Sequence, residues 1–312
     1  MFGSKKKPDK RSRVSSERKK ELAQPGAIYI ITCVASNLYC EDHSEGCLRG
    51  FFSLYLQAIY GIAFAQKQRI PHYVDFGNAR YFYSDETRFN GDKNFWNYYF
   101  KQDYDIKSFP RPIENGLFEN YPLQIWSRHL FREVHKVHTS IKLQDEIQAF
   151  LNEKTIPLKN KNVLGVHIRR TDHYLELSPV SISRYLTLID RYIADYENLF
   201  VATDDKDVIT LLTSRYPDKI LFNDVTRSSG KQAVHFNQEF TNRFQLGLDA
   251  LLDCYSLSLC ARVILSPSNF SLSVLIFNPE IKYTLVGNLD AWWKRWKTLI
   301  VFYLDRWNIR KW

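Results

Sequence analysis

From residue 163 to residue 286 the chain alternates short apolar runs with longer helical stretches, and few folds accommodate that rhythm. The runs 163–168, 198–203, 219–222, 262–265 and 281–286 read as strands. The stretches beginning near 181, 206–216, 241–259 and the one following Ser271 read as helices. Strands joined by helical crossovers run parallel. A parallel sheet is covered on both faces, which explains why these runs are apolar throughout rather than alternating. The expectation is a doubly wound α/β sheet, and in such sheets ligands gather beyond the carboxyl ends of the strands.

Three of those ends carry polar clusters: Arg169-Arg170-Thr171-Asp172 after 163–168, Asp204-Asp205 after 198–203, and Ser266-Pro267-Ser268-Asn269-Phe270-Ser271 after 262–265. Adjacent guanidinium forks suit phosphate oxygens better than an ammonium does. Each cluster alone has an ordinary reading, as a surface ion group or a pair of helix caps. Joined on one sheet edge they line a single crevice.

The first half holds one more strand, helix, strand unit. Residues 27–34 read as a buried strand. A polar loop from 37 to 50 carries Glu45-Gly46-Cys47-Leu48-Arg49-Gly50, the stretch 51–68 as a buried helix, and 72–76 as the next strand. A loop opening a helix amino terminus favours anions, which makes Gly46 and Arg49 candidate binding residues. Residues 77–125 are rich in Tyr, Phe and Asn with weak periodicity, suited either to stacking on sugar rings or to packing an insertion. Helices are expected at 123–136 and 143–153.

With 312 residues the chain suits two domains, and Pro157 to Asn162 is the best boundary between them. The expected organisation is a disordered basic tail over 1–24, an amino-terminal domain over 25–158, a carboxyl-terminal domain over 159–289 and an amphipathic helix over 290–312. The net charge of +9 is confined to the ends. Nine Lys or Arg face Asp9 and Glu17 in the first twenty residues, and six face Asp305 after residue 290, so the body between them is slightly acidic. That distribution argues against nucleic acid as a partner. Trp292, Trp293, Trp296, Trp307 and Trp312 interleaved with basic residues suggest peripheral contact with a membrane, or a helix packed back on the amino-terminal domain. Five cysteines fit neither a disulfide scaffold nor a zinc site, so a reducing, cytoplasmic setting is expected; in an oxidising one Cys40 and Cys47 are near enough in sequence to bridge. No GxGxxG, P-loop, HExxH or Gly-x-Ser-x-Gly occurs.

The residues Gly165-Val166-His167-Ile168-Arg169-Arg170-Thr171-Asp172 resemble the central His-x-Arg-Arg-x-Asp motif of the fucosyltransferase superfamily, which includes α1,2- and α1,6-fucosyltransferases, nodulation fucosyltransferases and protein O-fucosyltransferases. Val201-Ala202-Thr203-Asp204-Asp205 is similar to the Ala-Thr-Asp-Asp that follows in the α1,6 enzymes. Asp253 through Leu257-Ser258 to Ser268-Asn269-Phe270-Ser271 is similar to the third motif. The resemblance implies a GT-B architecture, two Rossmann-like domains facing across a cleft, and inverting transfer from GDP-fucose to a glycan acceptor with neither metal nor cofactor. It implies that His167 and Asp253 read guanine, that Arg169 holds the β-phosphate, with Arg170 sharing the charge or bracing the motif, and that Asp172 orients both arginines. Ser271 and the backbone around Asn269 would complete the phosphate cradle, with Ser268 and Phe270 beside it, and Asp204 would join the nucleotide site. Glu45, Glu176 and His173 are candidate bases for the acceptor hydroxyl. The alternatives are transfer of another GDP-sugar, or a nucleotide- or glycan-binding module without turnover.

Overall fold

The computed structural model describes residues 16–33, 47, 49–116, 119, 126–169, 180–228 and 241–286. Two parallel sheets organise them. In the amino-terminal half β1 (Ala27–Ile31) lies between β2 (His72–Val74) and β3 (Arg111–Glu114), with Tyr29 opposite His72 and Ala27 opposite Arg111. Every residue of β1 is buried, as expected of the middle strand. The helix between β1 and β2 is α2 (Phe51–Gln68), the span expected from sequence. It ends where Arg69 turns left-handed at φ 58° and its N–H caps the carbonyls of Ala65 and Gln66, two residues before Pro71.

The strand β3 escaped the sequence reading because it sits at a sheet edge. Its outward positions are Arg111, Pro112 and Glu114, and only Ile113 is buried. Proline is tolerated there because an edge strand has a side that pairs with nothing. A correction also falls on the tail. Residues Ser16–Leu22, expected to be disordered, form a helix, α1. Leu22 is buried, and Arg18 forks onto the carboxylate of Glu119, with Nε to Oε1 and Nη2 to Oε2 both at 3.0 Å. The same carboxylate accepts from the Tyr29 hydroxyl at 2.9 Å and the Gly116 N–H at 2.7 Å. One apolar residue in seven gives no periodic signal, so the docking was invisible locally.

Helices α3 (Trp96–Tyr99), α4 (Arg128–His138) and α5 (Asp145–Lys154) lead to the second sheet. Its strands are β4 (Val163–Ile168), β5 (Asn198–Thr203), β6 (Ile220–Leu221), β7 (Arg262–Leu265) and β8 (Lys282–Leu285), ordered β6-β5-β4-β7-β8 and all parallel. The connecting helices are α6 (Ile182–Tyr192), α7 (Lys206–Arg215), α8 (Arg243–Ser258) and α9 (Asn269–Phe277). The chain builds outward from β4 in one direction through β5 and β6, then returns to build the other way through β7 and β8. That reversal places the topological switch point between β4 and β7.

The central strand separates two apolar layers. Leu164, Val166 and Ile168 join the cluster that includes Tyr185 and Ile189 of α6 and Val208 and Leu212 of α7. Gly165 and His167 point the opposite way. A β-carbon on Gly165 would stand 2.9 Å from both Cys260 Sγ and Leu257 Cδ2, so glycine is what lets the end of α8 lie so close to β4.

The two sheets share one core. Helices α2, α4 and α9 pack on one another, with His138 stacked on Phe277 at 4.1 Å and Tyr55 edge-on to the same ring at 5.7 Å. His135 Nδ1 lies 2.8 Å from the Ile276 carbonyl, and Arg132 grips Glu280 with both prongs, at 2.5 and 2.8 Å. Tyr99 stacks on Phe244 and donates to its carbonyl at 2.7 Å.

Candidate active site

His167 occupies the switch point. As the next-to-last residue of β4 it pairs with Ala202 of β5 on one side and Leu265 of β7 on the other, and it is buried. Its Nδ1 lies 2.8 Å from Ser271 Oγ and 3.3 Å from Ser266 Oγ. The ring stacks on Phe270 at 4.3 Å. Phe270 in turn takes Phe52, in the first turn of α2, edge-on at 5.2 Å. The chain of contacts Phe52, Phe270, His167 brings the start of the amino-terminal helix to the edge of the second sheet. Arg169, half-buried, leaves the end of β4 beside this cluster.

The profile of α-(1,6)-fucosyltransferase N- and catalytic domains matches residues 118–265, which span β4, the Asp204-Asp205 end of β5 and the helix bearing Asp253. The match covers just under half of the chain, and over that stretch the chain is similar to a fucosyltransferase catalytic domain. No curated protein sequence matches. Among solved structures, the NodZ α-1,6-fucosyltransferase soaked with GDP-fucose is similar at 15% identity and a TM-score of 0.51, over 81% of this chain and 92% of that one. NodZ from Bradyrhizobium, as its selenomethionine form, is similar at 16% identity and a TM-score of 0.51, over 84% and 96%. At such identities the likeness is one of fold, and it matches the GT-B expectation.

Within this fold, the residues singled out in sequence take different positions. Ser268 is the N-cap of α9, its Oγ accepting from the Ser271 N–H at 3.1 Å. Ser271 is wholly buried and its hydroxyl is engaged with His167, which orients the imidazole. Asn269 opens α9, and its carbonyl accepts from the Ser273 hydroxyl at 2.9 Å. The Asp204 carbonyl accepts from the Ser228 N–H at 2.9 Å, tying the end of β5 to the chain after β6. Asp205 caps α7, accepting from the Asp207 N–H at 2.9 Å. Arg49 is buried just ahead of α2. Arg170, Asp172, His173, Glu176, Glu45, Gly46 and the carboxyl-terminal tryptophans lie outside the described residues.

Asp253 is buried in α8 and accepts from Asn223 Nδ2 at 2.8 Å; the same amide lies 3.1 Å from Ser256 Oγ. Burial pushes its carboxyl up to about 7, against the pull of the Asn223 amide and the Arg227 guanidinium. One helical turn earlier, Asp249 accepts from the Thr226 N–H at 2.8 Å and from Gln245 Nε2 at 2.7 Å. Sequence reading missed Phe52, Asn223, Arg227 and Asp249. Only the spacing of Gln245, Asp249 and Asp253, four residues apart along one helix face, offered a signal.

The structure also brings two cysteine thiols together. Cys33 Sγ lies 3.6 Å from Cys47 Sγ, with both residues buried, so within the described part Cys33 is the neighbour of Cys47. Cys40 lies outside the described residues.

Proposed function

We propose that the chain transfers fucose from GDP-fucose to a glycan hydroxyl, with inversion and without a metal ion. The observation that carries the reading is His167 at the switch point, fixed by Ser271 and Ser266, stacked on Phe270 and followed by Arg169. A histidine held by two hydroxyls and a ring is preorganised, and the guanidinium two residues on lies where a diphosphate would sit in a doubly wound sheet. The solved NodZ relative was soaked with GDP-fucose, which supports the choice of donor.

Departure of GDP leaves negative charge growing on the β-phosphate. Donors already aimed at that charge stabilise the transition state without reorganisation, which is the role of Arg169 and, by its adjacency, Arg170. Asp204-Asp205 superficially resembles a metal-binding pair, but the Asp205 carboxylate already caps α7. Among the candidate bases, Glu45 lies in the loop that leads to α2, whose first turn reaches Phe270.

The test is a titration of the whole chain with GDP-fucose, GDP-mannose, a UDP-sugar and an ADP-sugar, followed by GDP release in EDTA with glycan acceptors present. Selective binding of GDP-fucose with EDTA-resistant turnover is expected. A preference for UDP- or ADP-sugars sinks the donor assignment, and activity restored only by Mn²⁺ sinks the metal-independent mechanism.

A further inference from the structure

Cys33 stands two residues beyond β1, and Cys47 four residues ahead of α2. Fourteen positions apart in sequence, their sulfurs lie 3.6 Å from each other. Both residues are 2% exposed and belong to the apolar cluster that also holds Phe51 and Phe52. Gln57, wholly buried in the second turn of α2, turns its amide toward Cys33 Sγ at 3.8 Å. A donor aimed at a sulfur favours its thiolate, which makes Cys33 the attacking member of the pair. Cys254 and Cys260 differ: burial pushes their thiols far up, which keeps them protonated and inert.

The pair sits where a small displacement reaches the active site. Cys47 donates its N–H to the Arg80 carbonyl at 2.8 Å. Only three residues separate it from Phe51, whose N–H donates to the Tyr83 hydroxyl at 2.7 Å. Next along the helix, Phe52 meets Phe270, the ring stacked on His167. A disulfide holds its sulfurs about 2 Å apart, so bonding moves one chain segment toward the other by about 1.5 Å. Strand β1 is paired on both sides, by β2 and by β3, so the segment that yields is the start of α2.

We propose that Cys33 and Cys47 form a reversible oxidation site that ties the thiol redox state to the geometry around His167. The oxidant is a low-molecular-weight disulfide. The Cys33 thiolate attacks one of its sulfurs and releases one small thiol; the Cys47 thiolate then attacks Cys33 Sγ, displaces the second small thiol and closes the bond. Two protein thiols lose two electrons and two protons, which depart on the two small thiols. An excess of small thiol runs the same steps backward. The oxidised form is the slower one, because a displacement on the order of 1 Å at a positioning contact costs rate steeply. That effect on turnover rests on the donor reading given above; the bond itself does not.

The test equilibrates the full chain with reduced and oxidised glutathione at set ratios, traps remaining thiols by alkylation and reads the peptides by mass spectrometry, with GDP-fucose turnover measured on the same samples. A Cys33–Cys47 peptide should accumulate while the protein stays folded. Turnover should fall in step by about 10-fold or more and return on adding dithiothreitol. Cys33→Ala and Cys47→Ala should keep the reduced wild-type rate and lose the response. If the two thiols merely pack, they stay unlinked at every ratio, which overturns the proposal. A Cys40–Cys47 bond in its place overturns it too, as does a Cys33–Cys47 bond that leaves turnover unchanged. The wild-type measurements need no substitution, so they decide the matter even where a variant fails to fold. A reduced chain with no GDP-fucose turnover brings down the donor reading alone, and the linked peptide then decides the site.

Discussion

Replacing Asp253 by Asn should change how stability depends on pH, and the sign follows from burial. The carboxyl titrates at about 7 in the folded protein against 3.8 without the fold. Between those values the folded state holds a proton that the unfolded state has released. Such a group contributes stability that is fully present below the unfolded value and is lost as pH rises through the folded one. A separation of about 3 units, at about 1.4 kcal/mol each, amounts to about 4 kcal/mol lost between pH 4 and 7. His138 opposes it. Buried between α2 and α9, it is lowered to about 4 from 6.5 by desolvation and by the neighbouring His135. The folded state there holds fewer protons than the unfolded one, so stability rises with pH over that window, by about 3 kcal/mol. The two slopes nearly cancel in the wild type up to pH 6.5. In Asp253→Asn the side-chain oxygen can still accept from Asn223, but nothing titrates at that position. Urea unfolding at half-unit pH steps, followed by tryptophan fluorescence, should show the stability of the variant relative to wild type climbing by about 4 kcal/mol from pH 4 to 7 and flat above. A difference that stays constant across that range would refute a protonated, buried Asp253.

Arg169→Ala should lower GDP-fucose turnover by roughly 100-fold or more with the fold intact by thermal melt, and Arg169→Lys should recover little, because a point charge lacks the two-pronged geometry; near-normal kcat in the alanine variant would move the site elsewhere. Gly165→Ala should cost about 1–3 kcal/mol in denaturant unfolding, since the added methyl meets Cys260, Leu257 and Val263 at 2.9 to 3.0 Å. Arg18→Ala should destabilise by about 1–2 kcal/mol by leaving the half-buried Glu119 carboxylate without its fork, and an unchanged melting temperature would show that α1 does not brace β1. Incubation with a disulfide oxidant should join Cys33 to Cys47, read as one linked peptide by mass spectrometry and abolished in Cys33→Ser.

The second sheet was legible because each of its strands is a short apolar run closed by polar residues, and the observed strands fall within the expected 163–168, 198–203, 219–222, 262–265 and 281–286. Helix α2 was legible for a similar reason, with Gly50 before it and Pro71 after. What escaped was set by partners far away in sequence. Strand β3 depends on pairing with β1, some eighty residues earlier, and α1 depends on Glu119, 101 residues from Arg18. In the site, the positions of His167 and Arg169 followed from the end of β4. The engagement of Ser271 by His167 could not, because Ser268 and Ser271 look alike in sequence and only the first turn of α9 decides which caps and which orients. Asp253 was singled out by the likeness of its stretch to the third motif, whereas Asn223, its hydrogen-bond partner, comes from the chain beyond β6.

The apolar cluster that begins at Leu22 runs through α2, α4 and α8 to Val263 and Leu265 of β7 without a break. Separate layers would melt separately; a shared one ties the heat absorbed by one sheet to that absorbed by the other. Scanning calorimetry should therefore record one endotherm for the described body, and a nucleotide bound beside β4 should shift that whole peak upward, including the part contributed by β1, which it never touches.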